Sequence, residues 1–185
     1  MSNWCFNLLT IKGNHELLSQ FVACAFGNPP RAEDGLIRGA CLEKANDEVK
    51  PYLSFHATVP VPVPIQKTVR DDATVLSNGD ISPNPWEIWA YGNWGCATDI
   101  YMEKLTPEVM GWNSECTELN GEFETAWTPP IYWVKKTAEL FPYFTFHLFY
   151  HEYGRFFAGD VVAHGREFSH TRWSESQCEE LFYGG

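Results

Sequence analysis

The chain of 185 residues has no basic run longer than Lys135-Lys136, and its 13 Lys+Arg face 24 Asp+Glu, a net charge of −11. Such an excess repels phosphate backbones, which disfavours direct nucleic-acid binding. No apolar run approaches the roughly 18 residues of a membrane span, so no membrane association is expected. Met1-Ser2-Asn3-Trp4 carries neither a basic nor an apolar leader, and a cytoplasmic setting is the expectation. The six cysteines (Cys5, Cys24, Cys41, Cys96, Cys116 and Cys178) never stand at CxxC spacing. That excludes the paired-cysteine zinc and redox motifs and leaves them as small buried hydrophobes.

Signature motifs are missing too. There is no GxxxxGK phosphate loop, no GxGxxG, no GxSxG elbow and no HExxH. His151-Glu152-Tyr153-Gly154-Arg155 opens like a zincin helix, but the second His is absent and Gly154 interrupts it. No cofactor and no metal are therefore expected. Asp99 and Glu152 are isolated carboxylates that nothing in the sequence pairs as acid and base.

What is present is aromatic: 8 Trp, 8 Tyr and 13 Phe. Each can bury roughly 150–250 Å², ample for a folded core. Residues 4–11 alternate as a strand. Asn14 can cap a helix over 15–26, with Leu17, Leu18, Phe21, Val22 and Ala25 at helical spacing. A short helix is expected near 42–49. Residues 52–59 alternate as a second strand, Leu53/Phe55/Ala57/Val59 inward and Ser54/His56/Thr58 outward. Pro60, Pro62 and Pro64 then take the chain off the sheet.

Residues 112–127 read as a hairpin turning at Asn120-Gly121. Thr128 can cap a helix with Pro129 at its first position. A strand over 144–151 sets Phe144/Phe146/Leu148/Tyr150 against Thr145/His147/Phe149/His151. A further strand over 155–163 and a terminal helix over 174–182 follow. The resulting order is an α+β fold, a ferredoxin-like split β-α-β antiparallel sheet. Residues 1–64 and 112–185 form that domain, and 65–111 form a small Trp-rich, partly helical insertion.

Two candidate surfaces emerge. If both helices cover one sheet face, the other carries His56, Glu122, Glu124, His147, Phe149 and His151, a His–Glu–aromatic set able to meet a ligand, a metal or a partner. His147 and His151 are not a chelate, since four strand residues span about 13 Å. The plain alternative is a half-solvated face or one plugged by 65–111. The second surface is the stretch from Trp86 through Trp89, Asn93 and Trp94, with Asp99 and Glu152 nearby. It is either an aromatic cleft or the insertion's own core.

The strings Asn3-Trp4-Cys5-x-Asn7-x-Leu9-x-Ile11-x-Gly13, Asn93-Trp94-Gly95, Thr125-Ala126-Trp127-x-Pro129-Pro130 and Tyr150-x-Glu152-x-Gly154, with Phe157-Ala158-Gly159, resemble the YubB ferredoxin-like family. The family often continues its NWG with Thr-Lys-Trp, whereas Cys96-Ala97-Thr98-Asp99 stands here, so no role of that lysine carries over. The resemblance implies a ferredoxin-like sheet with a helical insertion. It also implies a bacterial host and a plasmid, phage or prophage setting, and it brings no catalytic activity. The resulting expectation is a non-catalytic accessory protein that binds a host or defence protein through an acidic and aromatic surface. Alternatives are a small-ligand- or metal-binding enzyme using the open-face residues and a structural phage component. Homo-oligomerisation stays open.

Overall fold

Strict alternation of buried and half-exposed residues, Cys5, Asn7, Leu9 and Ile11 on one side, makes Trp4–Lys12 the interior strand β1. The computed structural model describes residues 3–27, 52–66, 74–75, 81–82, 84–100 and 105–184. After β1 come α1 (His15–Ala25), β2 (Phe26–Gly27), β3 (Tyr52–Leu53), α2 (Phe55–Thr58), α3 (Val63–Gln66), β4 (Thr74–Val75), β5 (Ile81–Ser82) and α4 (Pro85–Asn93). The second half holds β6 (Glu118–Ala126), α5 (Ile131–Leu140), β7 (Thr145–Glu152), β8 (Phe157–His164), β9 (Glu167–Arg172) and α6 (Glu175–Tyr183).

The main sheet runs β6-β1-β7-β8-β9, and every neighbouring pair is antiparallel. Helix α5 carries the chain from β6 to β7, and β1 lies between those two strands. That is the split β-α-β expected from the sequence, and the fold is a ferredoxin-like α+β domain. Strand β9 extends it beyond the sequence expectation. Asn14 accepts the Leu17 amide at 2.9 Å and starts α1 as expected. Leu18, Phe21 and Ala25 form its buried stripe. Phe21 meets Phe141, Phe144 and Phe146 edge-on, with centroids 5.1–5.9 Å apart.

Three local expectations are corrected. Residues 52–59 are not a sheet strand: β3 pairs only with β2, and one helical turn follows. The Asp99 carboxylate takes the Ser54 hydroxyl and the Phe55 and His56 amides, which bends the chain into that turn. Second, Asn120-Gly121 is no hairpin turn but the middle of β6, paired with Thr10 and Leu9. Asn120 is held there by the Thr10 hydroxyl at 2.8 Å. A Cβ on Gly121 would stand 2.9 Å from Leu105 Cδ1, so the glycine serves close packing. Third, α5 starts at Ile131, later than the Thr128 cap would place it, and the Thr128 hydroxyl donates to the Gly95 carbonyl instead. The helix expected near 42–49 lies outside the described residues.

Trp86 and Trp94 share the main core. Their rings meet at 5.7 Å, Trp94 meets Phe55 at 5.8 Å, and Phe55 reaches Trp133 at 4.6 Å and Phe123 at 5.8 Å. The buried indoles are satisfied, with Trp86 donating to Ala97 O, Trp94 to Val59 O and Trp133 to the Thr58 hydroxyl. Among the described residues no helix is long and apolar enough to cross a membrane.

Candidate functional site

At one end of the sheet, four separate segments meet around a half-open cleft of about 550 Å³. Trp4 and Ala126 come from the paired ends of β1 and β6. Trp86, Glu87 and Tyr91 come from α4, with Ala97 and Thr98 just after it. Trp127 and Thr128 come from the link to α5, and Arg155 from the turn after β7. The Arg155 guanidinium lies over the Trp127 ring, 5.0 Å from its centroid. Among the described residues it makes no ion pair or side-chain hydrogen bond.

The walls are built from backbone contacts. Trp127 N donates to Asn3 O at 2.9 Å, and Trp133 N donates to Trp94 O at 3.0 Å. Ala126 N donates to Thr98 Oγ1 at 3.2 Å, and the Thr128 hydroxyl donates to Gly95 O at 2.8 Å. Gly95 holds φ +94°, in the left-handed region that favours glycine. Buried Glu152 accepts the Gly154 amide at 2.8 Å and the Arg155 amide, which fixes the turn that presents Arg155. Among the described residues, two non-glycine residues sit in left-handed backbone, Trp127 at φ 70° and Phe156 at φ 54°. Each costs roughly 1–3 kcal/mol; Trp127 lines the cleft, whereas Phe156 follows Arg155 and packs its ring on Phe182 and Tyr183 of α6.

The sequence candidates divide accordingly. Trp86 and Trp94 are both fully buried, Trp86 in the wall of the cleft and Trp94 against it at 5.7 Å. Trp89 packs edge-on against Trp94 at 5.3 Å. Asn93 closes α4 on the Trp89 carbonyl and receives Lys136 Nζ. Asp99 is buried and accepts four donors, the fourth being Ile100 N at 2.8 Å. Burial raises its pKa, against the pull of those bonds. Asp99 is thus a cap for the Phe55 turn.

The open sheet face holds Glu122, Glu124, His147, Phe149 and His151, as the alternation of β6 and β7 predicts. His56 is not among them. It sits on α2 with Nδ1 accepting the Val61 amide at 3.1 Å, and burial lowers its pKa. His147 Nε2 lies 3.1 Å from Asp160 Oδ1, and the Trp173 indole also donates to Asp160. His151 stacks on Phe6 at 4.9 Å, and Phe182 of α6 meets it at 5.6 Å. Phe149 packs on Trp173 at 5.3 Å. What covers part of this face among the described residues is α6. No group of three or more His, Cys, Asp or Glu side chains placed to hold a metal ion occurs among the described residues.

Trp4, Trp127 and Arg155 lie outside the candidates read from the sequence, whereas Tyr91 falls within the stretch from Trp86 to Trp94. Their signal lay in the motif strings, since Asn3-Trp4, Asn93-Trp94-Gly95, Thr125-Ala126-Trp127 and Glu152-x-Gly154 are the segments that build the cleft. A second depression of about 470 Å³ between residues 109 and 120 is open and polar, with no aromatic ring or cation in its lining.

Fold and site together define a ferredoxin-like domain with an aromatic cleft at one sheet end. Residues 108–181, less than half of the chain, match the family model described as the ferredoxin-like domain in Api92-like protein. Among solved structures, the chain is similar to the crystal structure of a protein api92 from Yersinia pseudotuberculosis, at 9% identity and a TM-score of 0.49, over 94% of this chain and 99% of that one. No curated protein matches the chain.

Proposed function

We propose that this is a non-catalytic protein-binding module that grips its partner in the cleft of Trp4, Tyr91, Trp127 and Arg155. The composition of that cleft supports the reading. Trp, Tyr and Arg are the residues that dominate protein–protein binding energy, and they do so in pockets surrounded by well-packed structure. The chemistry of the lining favours binding over catalysis. Among the described residues it contains no His, Cys or Ser, and both threonine hydroxyls are committed to backbone partners. The setting we infer is a bacterial plasmid, phage or prophage and the target a host or defence protein, in keeping with the YubB-like motif strings.

The test is differential capture from a bacterial host lysate. Wild type, Trp4→Ala with Tyr91→Ala, and a control at Leu140, which is exposed on α5, serve as baits. A protein held by wild type and the control but lost from the cleft variant supports the reading. Identical captures from all three baits contradict it.

A further inference from the structure

We infer that the cleft takes the C-terminal residue of a partner chain, an aromatic side chain seated among Trp4, Tyr91 and Trp127 with its α-carboxylate on Arg155. This rests on the binding-module reading above and adds the chemistry of the occupant.

Four observations carry it. The guanidinium of Arg155 lies over the Trp127 ring, 5.0 Å from its centroid, and has no acidic partner among the described residues. With no side-chain hydrogen bond among the described residues, its donors stay available to a carboxylate in bidentate geometry. Second, the cleft volume of about 550 Å³ is in the range that encloses one compact ligand group, and four of its lining residues, Trp4, Trp86, Tyr91 and Trp127, carry indole or phenol rings. Third, Glu152 fixes the backbone of the turn that carries Arg155 through two amides, so the base of that side chain is set before anything binds. Fourth, the chain carries −11 overall, so an acidic segment is repelled. One isolated carboxylate attached directly to a flat apolar group satisfies both the cation and that repulsion. A chain terminus ending in an aromatic residue supplies the two together.

The probe is an acetylated Gly-Ser-Gly-Trp peptide with a free C-terminus, titrated into the full chain by calorimetry beside its C-terminal amide and beside indole-3-acetate. The acid is expected to bind about tenfold or more tightly than the amide. Arg155→Gln should abolish that preference and Arg155→Lys should keep part of it, because lysine retains the charge without the fork. Both variants alter an exposed side chain with no hydrogen bond, so folding is not at stake. Indole-3-acetate should bind at least tenfold more weakly than the peptide, since it lacks the chain. Equal binding of acid and amide, a preference that survives Arg155→Gln, or indole-3-acetate matching the peptide overturns the inference, the last by making the ligand a free small acid. If no peptide binds while Trp4→Ala with Tyr91→Ala still loses the captured protein, this inference falls and the binding-module reading stands.

Discussion

Arg155 rests on Trp127 with 5.0 Å between guanidinium and ring centroid, and each belongs to a segment with a left-handed non-glycine residue. Neither residue reaches that position by default. Trp127 is turned by the link between β6 and α5, which the Asn3 carbonyl anchors. Arg155 is presented by a turn whose amides end on Glu152. The stack is therefore a product of the scaffold, and disturbing the scaffold should disturb the site.

Glu152→Ala removes the acceptor of two amides in a turn beside the cleft. The expected loss is about 1–3 kcal/mol in all, the range for hydrogen bonds to a charged acceptor, since Gly154 and Arg155 are exposed and water can take their amides. Urea denaturation measures it. A loss below about 0.5 kcal/mol would mean the turn does not depend on this carboxylate.

Phe55→Ala tests the corrected assignment of residues 52–59. Phe55 is fully buried and its ring meets Trp94, Phe123 and Trp133. A cost of about 3–5 kcal/mol is expected, the range for deleting a core aromatic. The thermal midpoint should fall steeply, whereas Ala57→Ser at an exposed position in the same turn should leave it nearly unchanged.

Acid should destabilise the protein below about pH 6.5, the ordinary histidine value. Burial lowers the pKa of His56, His151 and His170 in the folded state; Asp99 and Glu152 oppose this at the first two, and Arg172 adds to it at His170. Below the unfolded value the unfolded chain binds protons that the folded chain refuses, so stability falls as pH falls through that window. Urea midpoints at pH 7.5 and 5.5 measure the drop. His56→Asn keeps an acceptor for the Val61 amide and removes one titrating ring, so it should flatten the slope.

Gly159→Ala should destabilise by about 1–3 kcal/mol through overpacking. A Cβ there would stand 2.4 Å from Tyr150 Oη and 2.6 Å from Thr171 O. Tyr150→Phe in the same chain should recover only part, because the Thr171 carbonyl is backbone and remains. It also forfeits the 2.7 Å bond between Tyr150 and His170. Thermal melts of the two single variants and the double variant decide this, and full recovery would mean the Thr171 contact is relieved at no cost.

Much of the fold was legible because its strong elements obey simple periods. β1 and β7 alternate cleanly, α1 and α5 carry apolar stripes, and α6 begins at a serine capping box. The misreadings have one cause, a local signal overridden by a distant partner. Alternation over 52–59 looked like a strand until Asp99, more than forty residues on, capped its backbone into a helical turn. Asn120-Gly121 looked like a hairpin until Thr10 and Leu105 claimed its two residues. The cleft was hidden for the same reason. Its rings come from positions 4, 86, 91 and 127, and no spacing rule links them to Arg155. The open-face residues of β6 and β7 followed from period alone, while α6 lying across that face did not.

The most direct measurement places a photo-crosslinking amino acid at Tyr91, 37% exposed on the cleft wall, and separately at Leu140, 59% exposed on α5. Each variant is irradiated in living bacterial cells that express it. One discrete protein adduct from the Tyr91 position, absent from the Leu140 position, is the predicted result. No adduct at Tyr91, or the same adducts from both positions, would contradict the assignment of the cleft as the binding surface.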